Sequence, residues 1–164
     1  MTDHASHSAH GGHDVSADSP GLTRLAVTAT LHCLTGCAIG EVLGLVVATA
    51  LGWSNGPSIA LAVGLAFVFG YGFTLVPMLR SGLAFGAALG IAFAADTVSI
   101  TTMEVVDNAV VLLVPGAMDA GLTSALFWGS LVVSLAVAFV VTVPVNRALI
   151  RRGKGHAVVH RYHH

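Results

Sequence analysis

Long apolar runs separated by short polar breaks organise this chain. No charged side chain occurs from 42 to 79, nor from 120 to 146. Both stretches exceed the roughly 20 residues a helix needs to cross a bilayer. Three groups of breakers interrupt the apolar pattern: Gly52-Trp53-Ser54-Asn55-Gly56-Pro57, Arg80-Ser81-Gly82, and Pro115-Gly116. Such clusters mark turns. The pattern therefore predicts four membrane-spanning helices, at about 22–51, 59–79, 83–114 and 122–145. The first and third are too long to cross a bilayer upright, so they must tilt, project into the interface or break internally. Loops this short predict antiparallel neighbours in one all-α bundle.

Composition agrees with that class. Apolar residues make up 55% of the chain, charged residues only 9%, and mean hydropathy is +0.83. A soluble domain would carry about a quarter charged residues. Net charge is -1, and the position of each charge says more than the sum. Arg24 precedes the first helix and Arg80 lies in the second loop. Arg147, Arg151, Arg152, Lys154 and Arg161 follow the last. With four spans these regions share one side, so the positive-inside rule predicts both termini in the cytoplasm. The expected location is the inner, plasma membrane. The amino end lacks a secretory signal: it has no basic start, and its first apolar run is too long. The basic carboxyl-terminal segment suits anionic lipid rather than nucleic acid.

The organisation expected is a His-rich tail over 1–20, a transmembrane domain over 21–150, and a basic, His-rich tail over 151–164. The first tail carries His4, His7, His10 and His13; the last carries His156, His160, His163 and His164. Histidines at such spacing can present several imidazoles to one metal ion without a fold. A solvated tail is the plainer alternative.

Within the spans, polar chemistry concentrates on two helices. The first contains His32, Cys33, Cys37 and Glu41. Cys33, Cys37 and Glu41 form one stripe at helical spacing, while His32 lies about 100° away, so a site would need a second helix. Imidazole, thiolate and carboxylate together suit zinc, and thiolates favour copper(I). Otherwise the cysteines are small apolar fillers and His32 a hydrogen-bonding link between helices. Alongside runs Gly36, Gly40, Gly44, Ala48 and Gly52, one small residue at every fourth position. That spacing lets a neighbouring backbone approach closely.

The third helix carries Asp96, Met103, Glu104 and Asp107. Acids in hydrocarbon are costly and mark functional positions by default. Neither Lys nor Arg lies inside the spans to neutralise them, so they must be protonated, hydrated or bound to a cation. Met103 and Met118 could give thioether sulfur to copper(I), or simply pack. Ordered by depth from helix ends, Asp96, Glu41, Glu104, Asp107 and Asp119 make a ladder of acids from mid-membrane to the outer loop. It suits a cation or proton path.

Several of these segments together resemble a bacterial membrane family known as a domain of unknown function, with a His-rich start and four predicted spans. They are 31–41 around His32, Cys33, Cys37 and Glu41, the Gly52-Trp53-Ser54 turn, Asp96-Thr97, 103–108, 115–119 and 143–147. The resemblance covers nearly the whole chain after Pro20. It implies the four-span fold and no particular activity.

The function expected is binding of a transition-metal cation, copper or zinc, with transport or delivery. The expected metal ligands are His32, Cys33, Cys37, Glu41, Met103 and Glu104. Asp96, Asp107 and Asp119 are the expected cation or proton path. The partners are the lipid bilayer and the cation, with a homodimer open because four helices make a thin wall for a pore. Proton-coupled transport of another solute and a scaffold role in a membrane complex are the alternatives. Thiol redox chemistry ranks lower, since Cys-x-x-x-Cys lacks the usual two-residue spacing. No phosphate loop, zinc-protease motif or nucleophile elbow occurs, so no enzyme is expected.

Overall fold

A computed structural model describes residues 20–152. Within them the chain forms four helices, α1 (Pro20–Ala50), α2 (Asn55–Arg80), α3 (Phe85–Leu113) and α4 (Ala125–Arg151), and no strand. Each is long and apolar enough to cross a membrane. The protein is a multi-pass membrane protein with an all-α, four-helix transmembrane fold. The membrane-length stretch of α3 has the lowest mean hydropathy of the four, 1.4, in keeping with the acids that this helix carries. α1 and α3 run unbroken for 31 and 29 residues. At about 1.5 Å per residue both exceed a hydrocarbon core of about 30 Å.

The helix ends follow local chemistry. Pro20 opens α1, where its missing N–H costs nothing. α1 stops at Gly52, whose φ of 67° only glycine adopts readily. Gly52 N–H donates to Thr49 and Trp53 N–H to Ala48, a Schellman closure. α2 ends in the same way: Gly82, at φ 89°, donates to Leu79, and Leu83 donates to Met78. Two boundaries differ from expectation. α2 takes in Asn55, Gly56 and Pro57 as its first turn, where proline is tolerated. α4 continues past Pro144 to Arg151. Its last turns remain helical because they are still packed. Asn146 Nδ2 donates to Thr30 Oγ1 at 2.8 Å, and Ile150 packs with Leu22 and Ala26.

Neighbours alternate in direction around the bundle, and α1 and α3 also meet across it. Large apolar side chains point outward: Leu31, Ile39, Leu43, Val68, Phe93, Val105, Leu113 and Val140 are all exposed. The interior holds small or polar residues instead. Ala26, Ala66, Ala88, Ala92, Ala138, Thr30, Ser99, Ser134 and Thr142 are fully buried. That inversion of a soluble core is what lipid demands, since helices gain nothing by hiding leucine from hydrocarbon. Trp53 and Trp128 both sit at the end of the bundle away from Pro20 and Arg151, half-exposed, as interfacial anchors do.

The glycine stripe of α1 packs directly against α2. A Cβ on Gly36 would lie 2.8 Å from Gly70 Cα, and one on Gly44 2.5 Å from Ala62 Cα. One on Gly40 would overlap the backbone of Leu65 and Ala66. Backbone therefore rests on backbone along the α1–α2 seam.

Candidate functional site

With its glycines turned to α2, α1 presents its cysteine stripe to α3. α1 and α3 run in parallel, so successive turns meet in step. Cys33 and Cys37 share a buried cluster with Ile100 and Met103. The Cys37 thiol lies beside the Cys33 thiol and the Glu104 carboxyl. One turn further from the chain ends, Glu41 meets Asp107. All of these side chains are buried: Cys37 is 1% exposed, Met103 0%, Glu104 5%, Glu41 5% and Asp107 2%. Both cysteines are free thiols.

Partners for the acids are scarce. Glu41 Oε2, Glu104 Oε2 and Asp107 Oδ1 are buried with no hydrogen-bond partner among the described residues. A buried polar group left unpaired typically costs about 1–3 kcal/mol, and more when charged. The arrangement is expensive as a purely structural one.

The Glu41–Asp107 level forms part of the wall of a cavity of about 140 Å³ at the tryptophan end of the bundle. Trp53, Asn55 and Ser58 line it from one side, and Ala117, Met118, Phe127 and Ser130 from the other. Asp119 is exposed, and Asn55 Nδ2 reaches its Oδ1 at 3.5 Å. From that end inward the order is thus Asp119, then Glu41 with Asp107, then Glu104 with Cys37, then Cys33. Glu41 stands level with Asp107 rather than inward of Glu104. Depth counted from helix ends misses this, because the register is set by how α1 packs on α3.

Other expected site residues lie apart. Asp96 is buried nearer the chain ends, beside Thr74 of α2. His32 is exposed and meets Phe73 in a T-shaped ring contact, centroids 6.2 Å apart, rather than joining the thiols. The histidines His4, His7, His10, His13, His156, His160, His163 and His164 lie outside the described residues. Among the described residues no three of His, Cys, Asp and Glu close on one point as a preformed metal site. What is present is a donor set along a line, with a cavity at one end.

A polar stripe on α4 is absent from the expectations. Ser130, Ser134, Ala138, Thr142, Asn146 and Ile150 recur every fourth residue and are all buried. Ser134 donates back to Leu131, while Thr142 Oγ1 and Ser99 Oγ of α3 have no partner among the described residues. The signal was there in the four-residue spacing, diluted by the valines between.

A known family, described as "Domain of unknown function (DUF4396)", matches this chain over residues 24–155. No curated protein and no solved structure matches.

Proposed function

The chain belongs to the DUF4396 family, and we propose that it binds a transition-metal cation, copper or zinc, inside the bundle and passes it along the α1–α3 seam. One observation carries this: Cys33, Cys37, Met103 and Glu104 lie next to one another in the interior, in line with an acid pair beside a cavity. Thiol and thioether sulfur favour copper(I), and thiolate with carboxylate suits zinc. The unpartnered carboxylate oxygens supply the negative charge that a cation entering hydrocarbon requires. Positive-inside placement of Arg24, Arg80 and Arg147 supports cytoplasmic chain ends in the inner membrane, with the cavity facing outward. The tail histidines then act as collectors on the cytoplasmic side.

A second function draws on the Glu41–Asp107 contact. Two carboxyl groups meeting in the bundle interior with no basic partner among the described residues also suit proton-coupled movement of another solute. The two readings part on metal content. Purified protein is analysed for copper and zinc after loading with each ion, in four forms: wild type, Cys33→Ser/Cys37→Ser, and each of these without tails. Copper retained without tails and lost with the serine pair is the expected result. Equal copper in wild type and serine variant would take the thiols out of the site, and no copper or zinc in either tail-less form would confine binding to the tails and leave the interior acids to protons.

A further inference from the structure

The thiol cluster and the cavity differ in chemistry. Around Cys37 the donors are sulfur with one carboxyl group. In the cavity oxygen dominates: the Glu41 and Asp107 carboxyls, the Thr49, Ser58 and Ser130 hydroxyls, and the Asn55 amide, with the Met118 thioether the one sulfur. No Lys, Arg or His is among the residues that line it. Glu41 and Asp107 are each more than nine-tenths buried, and each keeps one carboxylate oxygen with no hydrogen-bond partner. The cavity measures about 140 Å³. A single water needs only about 10–15 Å³ counted that way, so several fit beside an ion.

We propose that this cavity is a separate binding station for a partly hydrated divalent cation, held by Glu41 and Asp107 in the outer third of the bundle. The station deepens the cation reading above and rests on it for its role, though its occupancy can be measured independently. Two carboxylates match two positive charges. Oxygen ligands select hard or borderline divalent ions over copper(I). The hydroxyls and amide around the acids hold the waters that the ion keeps. Such ions retain several waters when only one or two carboxylates bind them. An ion that sheds its shell there reaches Glu104 and the thiols one turn further in. The cavity thereby sorts by ligand hardness before the sulfur cluster does.

The probe is manganese(II), an oxygen-preferring ion whose free form is read by electron paramagnetic resonance. The full chain in detergent is titrated as wild type, as Glu41→Gln/Asp107→Asn, and as Cys33→Ser/Cys37→Ser. Tail histidines are common to all three. The carboxamide pair is expected to weaken manganese binding by more than about tenfold, the lower bound for losing even an outer-shell partner. The serine pair is expected to leave it unchanged. A second measurement does not depend on how the acid variants fold. With Trp128→Phe, Trp53 is the sole tryptophan and lines the cavity, so bound manganese should quench its fluorescence. Absent quenching, or equal affinity in wild type and carboxamide variant, would overturn the station. Copper retained by the thiols in that case would leave the cation reading standing. Manganese bound at Trp53 with no copper on the thiols would keep the station and remove the sulfur centre.

Discussion

Replacing Gly40 by alanine is the sharpest test of the packing on which the site depends. A methyl group there would sit inside van der Waals contact with the backbone of Leu65 and Ala66. Backbone cannot rotate away as a side chain can. To regain ordinary carbon contact near 3.5 Å, α1 and α2 must separate by about 1 Å at this level. Overpacking of this kind costs about 1–3 kcal/mol. Against it stands a gain of about 0.5–1 kcal/mol from replacing glycine in a helix. The net expected for Gly40→Ala is a loss of about 0–2.5 kcal/mol, and more for Gly40→Leu. Gly64 supplies the control. It lies within α2, and a Cβ there meets nothing within 4 Å. Gly64→Ala should be neutral or stabilising. Thermal unfolding in detergent, followed by tryptophan fluorescence, compares the two with wild type. A Gly40→Ala protein as stable as Gly64→Ala would refute close backbone contact along this seam.

Two further outcomes are expected. Cysteine introduced as Ser54→Cys in the Cys33→Ser/Cys37→Ser background should react with an impermeant thiol reagent from outside, whereas His10→Cys and His160→Cys should be protected; outside labelling at 160 would reverse the proposed orientation. Thr30→Val removes the acceptor for the buried Asn146 amide and should destabilise the bundle by about 1–3 kcal/mol; a melting temperature equal to wild type would show that Asn146 finds another partner.

How much of this was legible in the sequence depends on which force set each feature. The four spans were visible because lipid imposes apolar length directly on the chain. The Gly36–Gly40–Gly44 stripe was visible because close approach needs small residues at helical spacing, and it does meet α2. The facing of Cys33, Cys37 and Glu41 toward Met103 of α3 was also expected, since both polar faces needed burial, whereas Asp96, expected at the same level, lies apart. The matching of turns was not. Whether Glu41 meets Asp107 or Asp96 depends on an axial slide of a few ångströms between helices distant in sequence, and no local pattern encodes it. The end of α4 was missed for a related reason: Asn146 and Ile150 are held helical by Thr30 and Leu22, on the far side of the chain. His32 was drawn toward the thiols by its place next to Cys33, yet a single residue step turns a side chain about 100° around the helix.

The α1–α2 seam also decides which parts of the bundle can move. Backbone nested in backbone has no side chains to re-pack, so sliding along it proceeds only in jumps of a whole helical turn. α1 and α2 therefore act as one stiff plate. The seams of α2 with α3 and of α1 with α4 are tied differently, by hydrogen bonds such as Tyr71 to Thr97 and Asn146 to Thr30. Those bonds can be exchanged for water one at a time. If the proposed cation passes Glu104, the widening would come from α3 and α4 rocking against that plate, with the thiols of α1 staying still while the acids of α3 travel.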